Sequence, residues 1–382
     1  MCPLPDGADR AEITGAQLRQ PSTLRPGDRV AVLSPSWAAP AAYPAVHEQA
    51  MRRLREVVGV EPVEYPTTRR QGTATERAAD LNAAFADESI RAILATIGGD
   101  DQMTVLRHLD PALPLRDPKP FVGYSDNTNL LNWLWFHGVA GVHGGSTQVH
   151  LGPGPRVALE HLLSLRAALF GGDVELRPVA RTRDVGIAWD DPRALTDQPT
   201  TDPADPWTWA GPDSRVVGPI WGGNLEVLQW TMAANRWVLP TPAYSGCILL
   251  AETSEDRPSP IEVYRMLRNL GERGLLEMFS ALIWGRPQVG AHGDHPSPAH
   301  AGALRAEYRA SVLRAVGEYN PRLVVVMDVD VGHPLPQWVL PYGGIVTIDG
   351  RAQTVVAHFG TPADQSDIDR GGPRGLEGQA DS

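Results

Sequence analysis

The chain has almost no cysteine: Cys2 and Cys247 are the only two in 382 residues. Two thiols that far apart in sequence are too few for a disulfide framework or a thiolate metal site. Runs of lysine and arginine are also missing, with 34 basic residues against 45 acidic ones and a formal net charge of −11. That balance cannot neutralise a phosphate backbone, so no nucleic-acid partner is expected. No stretch reaches about 18 consecutive apolar residues, and the opening MCPLPDGADRAEITG is polar where a signal peptide has an apolar core. The expectation is a soluble, cytoplasmic protein with no membrane contact.

What the chain does hold is enough apolar material for two ordinary domains: 42% of residues are hydrophobic and 21% charged, which excludes general disorder. From Pro26 two periods alternate. DRVAVLSPS reads as a buried strand, and AVHEQAMRRLREVVG places Val46, Ala50, Leu54, Val57 and Val58 at helical spacing. Thr73 and Glu76 make a capping box before a helix with Leu81 and Phe85 on one face, and RAILATIGG returns as a strand. QMTVLRHL (helix), KPFVGY (strand), NTNLLNWLWF (helix, Leu130, Leu131, Leu134 and Trp135 inward) and VAGVHG (strand) continue the alternation. Such βαβ units predict an α/β fold, with a parallel, flavodoxin- or Rossmann-like sheet over 22–152 whose crevice lies at the carboxyl ends of the strands.

Over 153–214 the period is lost, and WDDPRALTDQPTTDPADPWTWAGPDS reads as a long loop between domains. A second domain, 215–362, follows. Strands outnumber helices there, which predicts an open barrel or a mixed, β-rich α/β sheet. The polar segment 363–382 reads as a fraying tail.

Gly123-Tyr124-Ser125 ends an apolar strand and passes at once into a helix. That geometry aims a hydroxyl out of a sharp turn, as in a nucleophile elbow. Ser125 and Asp126 could equally serve as helix caps, and the second glycine of the usual elbow is replaced by Asn127. A nucleophilic serine needs a base, and the base an orienting acceptor. Among eleven histidines, His333 follows the strand LVVVMDVD between Gly332 and Pro334, while Glu252 ends the strand CILLAE. A surface histidine and a helix-capping glutamate are the plainer readings. Asp328 and Asp330 lie near His333, but a strand turns both to one face and solvation explains them without a metal.

Taken together, the GYSD at Ser125, the GGN ending at Asn224, the glutamate of ILLAETSED and the GH before LPYG resemble the LD-carboxypeptidase family of serine peptidases, in unbroken order from Pro26 to Phe359. The resemblance implies a Ser125–Glu252–His333 triad in an interdomain cleft, Asn224 in substrate binding, and neither metal nor cofactor. Peptidoglycan-directed members carry Arg-Gly-Gly-Tyr-Gly where this chain has TIGGDD, so the microcin C self-immunity branch is nearer. That branch cleaves an amide-type bond between an amino acid or peptide and a nucleotide, with a loop tryptophan stacked on the base. Trp189 matches that position, with Trp207 and Trp209 beside it; these rings either form such a platform or pack on the domain junction. Backbone N–H groups at Gly99, Asp100 and Asp126 are the candidate oxyanion donors. Relatives are often dimers, which implies a homodimer. The rival activities are muropeptide LD-carboxypeptidase and, in another class, non-catalytic binding of a small ligand.

Overall fold

The apolar segments of the first half become β1 (Arg29–Leu33), β2 (Glu61–Glu64), β3 (Ile90–Ala95), β4 (Phe121–Gly123) and β5 (Gly141–His143). They are seen in a computed structural model that describes residues 18–361, so the tail expected at 363–382 lies outside the described residues. The five strands stand in the order β2-β1-β3-β4-β5 and are all parallel, the arrangement that helical crossovers produce. The first of those helices, Pro44–Arg53, ends in a π turn, Leu54–Val58. The wider turn keeps Leu54 and Val58 inside and leaves Val57 38% exposed. The next, Ala74–Ala86, starts on the expected capping box: the Thr73 hydroxyl accepts from the Glu76 N–H and the Glu76 carboxylate from the Thr73 N–H.

The remaining strands are β6 (Asp173–Leu176), β7 (Arg181–Thr182), β8 (Asp202–Pro203), β9 (Thr208–Ala210), β10 (Arg215–Asn224), β11 (Ile248–Glu252), β12 (Ala281–Gly285), β13 (Val324–Val329), β14 (Leu340–Tyr342), β15 (Ile345–Asp349) and β16 (Thr354–His358). Strands β10 to β13 are parallel neighbours, with β9 antiparallel on the outer edge. Strand β14 lies between β5, to which it is antiparallel, and β10, to which it is parallel. One large, mainly parallel sheet therefore runs through both halves. The start of β10 also pairs with β15, which pairs with β16 and then β6, an antiparallel layer off the main path. The second half is the mixed sheet of the two forms expected.

Two helices interrupt regions that sequence periodicity leaves blank. Leu159–Phe170 falls inside the stretch read as loop; its Leu159 and Leu163 are 63% and 50% exposed, so the apolar period is blurred by leucines on the solvent side. Pro298–Tyr319, the longest helix described, buries only Ala301, Tyr308, Val312, Ala315 and Val316. Alanine carries little hydrophobic contrast. The Ser297 cap and Pro298 in the first turn were its legible signals. No helix among the described residues is long and apolar enough to cross a membrane.

Candidate active site

Ser125 sits between β4 and a 3-10 turn, Ser125–Asn127, that leads into the helix Thr128–Phe136. Its φ is +61°, an uncommon value for a non-glycine residue and the strained backbone of an elbow. The strain is held by its neighbours. The Asp126 carboxylate, buried beneath the turn, accepts from the Ser36 hydroxyl at 2.5 Å, the Gln102 N–H at 2.9 Å and the Asn129 amide at 2.8 Å. Burial pushes that carboxyl up, against the pull of those donors. Asn127 does more than fill the place of the second glycine: its amide donates to Ile97 O and Tyr124 O, both at 3.1 Å, and its oxygen accepts from Gln102 at 2.7 Å. Gly98 is required by contact, since a Cβ there would stand 2.9 Å from that of Ser125.

Glu252 closes β11 and is 1% exposed; its Oε2 lies 2.7 Å from Nδ1 of His333. The approach depends on Gly332, whose φ is +82° and whose absent Cβ would lie 2.5 Å from that carboxylate oxygen. On the other face of the ring, Glu255 Oε2 lies 3.2 Å from Nε2, close enough for an ion pair but off the axis of a hydrogen bond. Burial alone would drive the imidazole down. The two carboxylates outweigh it and hold His333 at about 10. The imidazole in turn holds Glu255 at about 2. Other buried histidines behave oppositely: burial brings His143 and His161 down to about 4, at His143 against the weaker pull of Glu252. This contrast separates His333 from the other buried rings.

Ser125 and His333 line one cavity of about 510 Å³, together with Gly98, Gly99, Glu255, Arg183 and Trp189. The Tyr124 ring touches that of His333, centroids 5.0 Å apart. The two halves also meet here through the Asn224 N–H, which donates to the Thr128 hydroxyl at 3.1 Å. Gly99, which lines the cavity, and Asp100 are exposed, and Asp126 lies in the first turn of the 3-10 segment, where backbone N–H groups have no partner within the helix.

Trp189 stands in the cavity wall, its ring 5.4 Å from that of Tyr43, which in turn lies 6.2 Å from Trp37. The other substrate-binding expectations are placed elsewhere. Trp207 is buried in the core with its indole N–H on Asp330 at 3.0 Å, and Trp209 pairs in β9 opposite Val326 of β13. Both rings take the packing alternative, because polar neighbours leave them no cheaper place than the interior. Asn224 does not line the cavity; its side chain caps the helix Leu225–Ala234 by accepting from Val227 N at 3.0 Å. Asp328 and Asp330 are not solvated as expected but fully buried, each 2.8 Å from an arginine, Arg309 and Arg286. Sequence reading missed Trp37, Tyr43, Arg183 and Glu255; only Trp37, in SPSW just past β1, stood at a strand end where a site was expected.

Two sequence profiles cover most of this architecture: the LD-carboxypeptidase N-terminal domain matches residues 30–144 and the C-terminal domain residues 217–348. The chain belongs to the LD-carboxypeptidase family. It is similar to the murein tetrapeptide carboxypeptidase of Pseudomonas aeruginosa, 31% identical over 86% of this chain and 96% of that one. It is also similar to the microcin C7 self-immunity protein MccF of Escherichia coli, 26% identical over 73% and 77%. A solved MccF structure in complex with aspartyl sulfamoyl adenosine shares the fold, with a TM-score of 0.74 at 22% identity over 89% of this chain and 98% of that one. As a member of this family the protein is a serine carboxypeptidase.

Proposed function

We propose that the protein hydrolyses the amide-type bond joining an amino acid or peptide to a nucleotide, using Ser125, His333 and Glu252 as a triad. His333 Nε2 takes the Ser125 proton as Oγ attacks the acyl carbon; Glu252 on Nδ1 fixes the tautomer and stabilises the imidazolium. The N–H groups of Gly99, Asp100 and Asp126 receive the oxyanion, each contributing about 3–4 kcal/mol. The imidazolium protonates the departing nitrogen, and water, deprotonated by the same imidazole, releases the acyl group from Ser125. The observation that carries the nucleotide reading is the aromatic wall of Trp37, Tyr43 and Trp189 in the cavity that holds the serine and histidine.

A second reading, removal of the terminal residue from a muropeptide, is favoured by the identity to the murein tetrapeptide enzyme. The two are separated by incubating the protein with an aminoacyl-sulfamoyl adenosine and, in parallel, a muropeptide tetrapeptide. Faster turnover of the adenosine conjugate is expected. Trp189→Ala should slow that substrate by about ten- to a hundredfold, the worth of one base-stacking contact, and the tetrapeptide little. Preference for the tetrapeptide, with equal damage to both substrates in the variant, would replace the nucleotide reading with the muropeptide one.

A further inference from the structure

The basic, acidic and imidazole side chains lining the cavity are Arg183, Asp184, Asp190, Glu255, His292 and His333. Asp184 is answered: it accepts from the Val289 and Gly290 N–H groups at 3.0 and 2.8 Å and lies 3.8 Å from Arg305. Glu255 faces His333. Arg183 has no ion-pair partner among the described residues. Its backbone is pinned by reciprocal bonds of 2.9 and 3.0 Å with Leu335, two residues past the histidine. Its guanidinium, however, has no carboxylate within ion-pair distance among the described residues, and Nε is buried with no acceptor. Burial lowers its pKa, and no acid opposes that pull. A half-buried arginine whose Nε is cut off from water without an acceptor weakens the free protein, and an arriving anion would relieve it.

We propose that Arg183 is the subsite for an anionic group on the leaving side of the scissile bond, a carboxylate or a phosphoryl group held by the forked guanidinium. The planar fork matches two oxygens of either group. Both substrate classes carry an anion there: a peptide losing its last residue has that residue's carboxylate next to the broken bond, and an aminoacyl nucleotide has its phosphoryl group. The second observation is the segment itself. Arg183 and Trp189 line the same cavity six positions apart, and a nucleotide has its phosphoryl group between the base and the scissile bond. This inference rests on the reading that Ser125 and His333 act in the same cavity.

The test uses two matched pairs: a peptide ending in D-alanine against its C-terminal amide, and an aminoacyl phosphoramidate nucleotide against its neutral methyl ester. The wild type should favour the charged member of at least one pair by about tenfold or more in kcat/KM, mostly through KM. Arg183→Gln should bring that ratio to within about twofold and Arg183→Lys to an intermediate value, since lysine keeps the charge and loses the fork. The pair that discriminates identifies the anion as carboxylate or phosphoryl. No discrimination by the wild type, or an undiminished ratio in Arg183→Gln, overturns the assignment. If the arginine variants do not fold, calorimetry on Ser125→Ala decides: tighter binding of a charged member is expected, and equal affinity within both pairs overturns it. Failure of the serine reading looks different, because a fluorophosphonate would then leave Ser125 unlabelled while the charge preference in binding persists.

Discussion

The serine and the histidine of this site are held in place by different physics. Ser125 is located by packing and by a buried network around Asp126 and Asn127, in which donors and acceptors are matched and a neighbouring glycine leaves just enough room. His333 is located by charge, between a carboxylate that is 1% exposed and another that is 71% exposed. A packed position changes little with solution conditions. A charged one follows pH and salt, and the exposed Glu255 side is screened by water, so its contribution is the smaller and the more adjustable. Ser125 is thus fixed by the fold, while the protonation of His333 can be set by one surface carboxylate.

Three substitutions probe that asymmetry. The largest effect belongs to Ser125→Ala, which should lower kcat by about three to six decades while leaving the thermal midpoint near that of the wild type; substantial residual turnover would remove the nucleophile assignment. Glu252→Gln should cost about two to four decades, because the amide cannot stabilise the imidazolium or fix its tautomer. Near-normal activity would mean that charge does not organise the base. The smallest effect is that of Glu255. His333 is held up at about 10, so its imidazole is protonated at neutral pH and the free base emerges only as pH climbs. The profile of kcat/KM in the wild type should therefore still be rising above pH 8, and Glu255→Gln should move its midpoint downward. The stabilising ion pair follows the same sign: it is present in full below the ordinary histidine range and fades as pH rises through about 10. A midpoint unmoved in Glu255→Gln would assign the whole elevation to Glu252.

The same division explains what could be read from the chain. Strand ends announce themselves through apolar runs that stop at Gly123-Tyr124-Ser125, at Glu252 and before His333, so all three residues were visible, as was the parallel sheet of the first half. Features that depend on one residue facing another across a gap were not. Nothing in the sequence sets Glu255 against His333, and Arg183 reads as one arginine among many until no acid proves to lie within ion-pair distance of it. Trp207 and Trp209 misled because polarity in sequence describes neighbours, whereas burial is decided by the sheet that β9 joins. The helix Pro298–Tyr319 was lost for want of contrast, since it buries only five of its 22 residues and two of those are alanine.

The position of β14 bears on how the protein is made. Strand β5 pairs with β4 on one side and with β14 on the other. Its partner lies far downstream, with Leu340 opposite His143. During synthesis at about 5–20 residues per second, β5 therefore waits roughly 10–40 s with an open row of backbone donors and acceptors. Over that interval the nascent first half resembles a finished α/β layer with one raw side. Its vulnerability to sticking to other chains should be set by translation speed between the two strands rather than by the stability of the completed enzyme.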